Sequence, residues 1–86
     1  MRISVDISLY PLTEGYVEPI LEFINKLEAN PHLVVKRNSL ATQVFGDYRE
    51  VMDCLDAEME AVFNALPHSV FVMKFIGTDR ADVVDV

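Results

Sequence analysis

Between Ile3 and Tyr10 apolar and polar residues alternate without a break, with Ile3, Val5, Ile7 and Leu9 on one side and Ser4, Asp6, Ser8 and Tyr10 on the other. A period of two over eight residues demands a strand with one buried face and one face outside the core. Everything that follows in the chain must supply either the cover for the buried face or the neighbours of this strand. Pro11 stops the alternation, and Thr13-Glu14-Gly15 makes a turn. Val17, Ile20, Leu21, Ile24 and Leu27 then form one helical stripe, with Pro19 tolerable only near its first turn. Asn30-Pro31 ends that helix.

A short second strand, Leu33 to Arg37, follows, and Asn38-Ser39-Leu40 turns it into a third, Ala41 to Phe45, as a hairpin. Gly46 closes the third strand. Asp47-Tyr48-Arg49-Glu50 has the spacing of a capping box, an acid at the cap and Glu50 three residues on, so a second helix starts there. Its stripe is Val51, Leu55, Met59, Val62 and Leu66, with Asp53, Asp56 and Glu60 opposite. Pro67 ends it, and Val70 to Ile76 is a fourth strand with apolar residues on both faces. An internal echo supports this order: Asn30-Pro31-His32-Leu33-Val34-Val35 resembles Leu66-Pro67-His68-Ser69-Val70-Phe71, 36 residues later.

The order strand, helix, strand, strand, helix, strand with such an echo predicts an α+β fold. It is the ferredoxin-like β-α-β-β-α-β sandwich, a four-stranded antiparallel sheet with two helices on one face and spatial order fourth, first, third, second. The domain spans residues 1–78, and 79–86 form an acidic, loosely held C-terminal tail. The fold brings the end of strand one, the Asn38–Leu40 turn, the start of strand four and the start of helix one to one rim, where a ligand can sit.

Charge narrows the partners. The 86 residues carry a net charge of −7, the wrong sign for gripping a nucleic-acid backbone. The excess lies mainly on the second helix, with Asp47, Glu50, Asp53, Asp56, Glu58 and Glu60 against Arg49, and on the first, as solvated faces rather than converging catalytic carboxylates. No apolar run reaches the length of a membrane helix, and no signal-peptide core forms before Asp6, so a cytoplasmic location is expected. The lone Cys54 reads as a structural thiol, its neighbours Asp53 and Asp56 raising its pKa. His32 and His68 begin strands at opposite sheet edges and cannot share an ion, so no metal is expected.

The polar face of strand one is less ordinary. Asp6 lies in mid-sheet on the uncovered side, where a carboxylate must be solvated, paired or bound to a ligand. Thr42 shares its parity with Val44 and so falls on the helix-covered side. Ser8 and Thr42 therefore point to opposite faces, and one pocket can use both only through a bulge or at the strand ends.

The segments Ser8-Leu9-Tyr10-Pro11-Leu12 and Leu40-Ala41-Thr42-Gln43-Val44-Phe45-Gly46-Asp47-Tyr48-Arg49-Glu50-Val51-Met52-Asp53 resemble the YkoF-type thiamine- and hydroxymethylpyrimidine-binding family and its single-domain relatives. The resemblance implies binding of the pyrimidine part of thiamine without chemistry, no further cofactor, and assembly into a homo-dimer or homo-tetramer. Ser8, Tyr10 and Thr42 match by motif, and Ser39 and Asp6 are added by position. Tyr10 or Phe45 can stack on the ring, and an acidic surface favours cationic thiamine over phosphorylated forms. The family's tandem chains hold two copies of the domain and this chain has one, which implies self-association. The expected function is non-catalytic capture for salvage, buffering or delivery. The alternative is an oligomeric regulatory or interaction domain with a different ligand or none. An enzyme ranks third: the basic loop of acylphosphatase, the aromatic strands of RNA-recognition sheets and the Cys-x-x-Cys of heavy-metal domains are all missing.

Overall fold

The computed structural model describes residues 1–82. The chain runs β1 (Arg2–Pro11), α1 (Val17–Glu28), β2 (Val34–Arg37), β3 (Thr42–Asp47), α2 (Tyr48–Ala65) and β4 (Ser69–Ile76). The four strands form one antiparallel sheet in the order β2-β3-β1-β4, the ferredoxin-like arrangement. The alternation that opens the sequence is realised residue by residue. Ile3, Val5, Ile7 and Leu9 are buried against the helices together with Val44, Phe23, Leu27, Leu33, Val51 and Leu55. Each such side chain contributes about 1.5–3 kcal/mol when fully withdrawn from water.

Helix α1 packs with a different stripe from the expected one. Phe23 and Leu27 are buried and Ile20 and Ile24 pack beside them, while Val17 and Leu21 are exposed. The set 20, 23, 24, 27 is an equally good helical face, and it wins because it turns the largest side chain inward. Phe23 meets Phe71 of β4 with ring centroids 5.2 Å apart, and Phe71 meets Phe63 of α2 edge-on at 5.3 Å. Pro19 sits in the first turn, where its missing N–H costs nothing. The other end of α1 is tied to β2: the Arg37 guanidinium reaches both Glu28 oxygens at 2.9 and 2.5 Å and the Asn25 side chain at 2.7 Å. That bidentate contact holds the Glu28 carboxyl below its ordinary range.

Helix α2 starts as the cap spacing predicts. The Asp47 carboxylate accepts from the Arg49 N–H at 3.3 Å and also lies 3.4 Å from the amino terminus. Strand β3, however, does not end at Gly46. It continues to Asp47, and Gly46 is a buried strand residue paired with Ile3. A side chain there would place its Cβ 2.9 Å from Leu33 Cδ2, 3.2 Å from Val51 Cγ2 and 3.3 Å from the His32 carbonyl. Glycine is thus required for close approach of β3, the β2 entry and α2, and not as a strand terminator. Gly46→Ala should lower stability by about 1–3 kcal/mol through overpacking. Urea unfolding would show this as a lower midpoint at unchanged slope.

Candidate functional site

The two neighbours of β1 are unequal. On one side β4 pairs with it from Ser4 through Pro11, whereas on the other β3 pairs only from Arg2 to Ile7, the last pair being Ile7 with Thr42. Beyond Ile7 the β3 side of β1 is a free backbone edge. The chain leaves that space through Asn38–Ala41, a turn closed by the Asn38 N–H on the Ala41 carbonyl at 2.9 Å. On the far side, Gly15 takes a left-handed conformation, φ +66°, and delivers Tyr16 to the start of α1. These segments enclose a groove of about 480 Å³.

Four of the expected site residues, Ser8, Tyr10, Ser39 and Thr42, line this groove. Ser8 and Thr42 face opposite sides of the sheet, and both line the groove because it lies at the strand ends. Thr42 is buried on the helix side, and Ser8 flanks it from the strand edge. The remaining lining is mostly aliphatic and aromatic, including Leu9, Ile20, Phe23 and Ile24, and no lining side chain is charged. Tyr16 and Asn38 add polar groups that the sequence reading did not single out, although Tyr16 follows the turn glycine directly. The rim expected from the fold order is present except for the start of β4, which does not line the groove.

Asp6 and Phe45 lie elsewhere. Register places Asp6 opposite Gln43 and Lys74, and Phe45 opposite Ser4, on the face away from the helices, where they line a separate cavity of about 220 Å³. Phe45 is buried, with the Lys36 ammonium 5.3 Å from its ring centroid, so it cannot stack on anything in the groove. A third concavity, of about 400 Å³, lies between the β1 start, the α2 start and the β4 end, lined by Met1, Ile3, Tyr48, Met52, Phe75, Ile76 and Gly77. It occupies the place that the internal repeat makes equivalent to the groove.

The segment after β4 is not loose as far as Ala81. It crosses the open sheet face as a strap: Ser4 Oγ donates to the Thr78 carbonyl at 2.8 Å and accepts from the Arg80 N–H at 2.8 Å. Asp79 takes the Arg2 guanidinium at 2.5 Å and the Ala81 N–H at 2.9 Å, and Lys36 donates to the Ala81 carbonyl. The expectation of a loosely held tail therefore fails for Asp79–Ala81; its last part, 83–86, lies outside the described residues.

Other candidates are ordinary. Burial pushes the Cys54 thiol up, and the carboxylate that adds to this is Glu58, one turn on, rather than Asp53 or Asp56. Among the described residues no three His, Cys, Asp or Glu side chains converge on a metal position, and no helix is long and apolar enough to cross a membrane.

The model of the YkoF-related family matches residues 2–77. Among solved structures, a candidate thiamine biosynthesis/salvage protein of Thermotoga maritima superposes with a TM-score of 0.81 at 19% identity, covering 91% of this chain and 85% of that one. A Streptococcus pneumoniae protein gives 0.84 at 18% identity, covering 96% and 93%. A domain of unknown function from Bacillus cereus gives 0.69 at 12%, covering 98% and 83%. No curated protein matches the sequence. At these identities the structural likeness speaks for the fold alone.

Acid should release the strap. The Arg2 guanidinium, helped by the Ala81 N–H and by Lys36, holds the Asp79 carboxyl below the ordinary aspartate range. Its contribution is therefore fully present above the ordinary pKa and is lost as pH falls through the depressed one. In an NMR pH titration the Ala81 amide should shift below the usual aspartate range, and Asp79→Asn should abolish that transition.

Proposed function

The chain belongs to the YkoF-related family, and on that premise we propose that it captures thiamine or its hydroxymethylpyrimidine moiety, without transforming it, in the groove beside the free edge of β1. The observation that carries this reading is the convergence of Ser8, Tyr10, Ser39 and Thr42 on one uncharged, largely apolar groove of about 480 Å³. Pockets of this size and character suit small ring ligands held by a few placed polar groups. An aminopyrimidine offers an amino donor and ring acceptors. Hydroxyls and the unpaired edge of a strand can match both kinds, and Tyr10 or Tyr16 can face the ring. The groove lining has no carboxylate, imidazole, thiol or lysine to act as acid, base or strong nucleophile, which favours capture for salvage, buffering or delivery over catalysis. The net charge of −7 favours a cationic ligand over its phosphorylated forms in this uncharged groove.

Self-association belongs to the same reading. Tyr10, Val70 and Val72 are exposed together on the open face, and Leu12 and Leu40 stand out at the groove mouth. A second copy would cover them, and a homo-dimer or homo-tetramer is proposed on that ground. The same exposed strip also favours the second reading, an interaction domain with a different ligand or none.

Titration calorimetry with thiamine and hydroxymethylpyrimidine separates these readings. Capture predicts saturable heat that weakens roughly two- to tenfold in Thr42→Ala, the range for losing one hydrogen bond, and is unchanged in Asp6→Asn. Silence toward both ligands at millimolar concentration would leave the interaction domain. Sedimentation velocity should show a species larger than one chain, and Val72→Lys should dissociate it; a monomer at high concentration would defeat the proposed assembly.

A further inference from the structure

The chain holds seven lysines and arginines. Four are ion-paired: Arg2 with Asp79, Lys26 with Glu22, Arg37 with Glu28 and Arg49 with Asp53. The other three, Lys36, Lys74 and Arg80, make no ion pair among the described residues, and all three line the same cavity of about 220 Å³ on the open sheet face. In a chain with a twofold excess of acids, unpaired cations gathered in one cavity require an explanation. Asp6 is the one carboxylate that lines the cavity with them, so part of their mutual repulsion is left uncompensated.

Register explains how they meet. Lys36 pairs with Gln43, Gln43 with Asp6 and Asp6 with Lys74, so these four residues form one row across all four strands, three spacings of about 4.8 Å from end to end. The strap lies over the next row, anchored on Ser4, and brings Arg80 to the same cavity. The cavity therefore has cations at both flanks and on its roof, and one carboxylate and one carboxamide on its floor. Of the other acids on the strap, Asp79 is engaged by Arg2 and also feels Lys36, and Asp82, one residue beyond Ala81, does not line the cavity.

We propose that this cleft between sheet and strap binds a phosphate monoester of a small hydroxylated alcohol. The three cations against Asp6 leave a local excess of two positive charges, which a phosphate dianion balances. Lys74 and Arg80 bind the oxyanion, with Lys36 as the third cation once it leaves the Ala81 carbonyl. Asp6 and Gln43 accept from and donate to the hydroxyls of the remainder, which is what a carboxylate among cations is suited to do. The space equals about seven waters, which suits a short ester. This cleft and the groove share no lining residue, so the proposal does not depend on what the groove binds.

The test is an NMR titration of the full chain with glycerol 3-phosphate and, separately, inorganic phosphate, at physiological ionic strength. Saturable shifts at Lys74, Arg80 and Gln43 are expected, with glycerol 3-phosphate the tighter ligand. Lys74→Gln and Arg80→Gln should each weaken it about tenfold. Asp6→Asn should erase the preference for the ester over inorganic phosphate. Arg49→Gln, which removes a paired cation elsewhere, should change nothing. Absence of saturation by about 10 mM, an equal loss in Arg49→Gln, or shifts confined to the groove would each overturn the proposal.

Discussion

Strand β1 is longer than its partner on one side, and the shape of the molecule around the groove follows from that mismatch. β4 accompanies β1 to Pro11, while β3 begins only at Thr42 and leaves the last residues of β1 with one neighbour instead of two. Backbone donors and acceptors at a free strand edge need partners from water or from a ligand. The hairpin turn 38–41 and the start of α1 close around this edge without pairing with it. The groove is thus a missing stretch of sheet, walled by the core on one side and open on the other.

That arrangement divides the polar residues of β1 between two environments. Ser8 and Tyr10 belong to the unpaired end, while Ser4 and Asp6 belong to the fully paired middle, where the strap is anchored on Ser4 and Asp6 lines the cavity beside it. The sheet face away from the helices is consequently not one surface. One end is covered by the chain itself, the centre carries a charged row, and the far end presents Tyr10, Val70 and Val72 to solvent.

Much of this was legible because it depends on local pattern. The alternation over Ile3–Tyr10, the Asp47 cap and the prolines after each helix are local signals, and they gave the six elements and the strand order. Parity also separated Ser8 from Thr42, which both line the groove only because it lies at the strand ends. What escaped depends on contacts far apart in sequence. Phe23 displaced Val17 and Leu21 from the buried stripe because Phe71 and Phe63 wait across the core, which helical spacing alone cannot reveal. Gly46 looked like a strand end because its crowding by Leu33 and Val51 is tertiary. The strap rests on Arg2 with Asp79 and Ser4 with Arg80, pairs with no local signature. Without it, Asp6 and Ser8 looked like neighbours in one site.

The cavity formed by Met1, Ile3, Tyr48, Met52 and the end of β4 is the groove's counterpart on the other rim of the sheet. A fold made of two similar halves generates two rim cavities by symmetry, so a hollow at that location is the default product of the architecture. Only one of the two carries serine and threonine hydroxyls; its counterpart is lined almost wholly by carbon and sulfur, with the Tyr48 phenol as its lone side-chain hydroxyl. The molecule therefore contains its own blank. Differences in what the two hollows retain, measured in one sample on one chain, report the chemistry of a handful of side chains with the scaffold held constant.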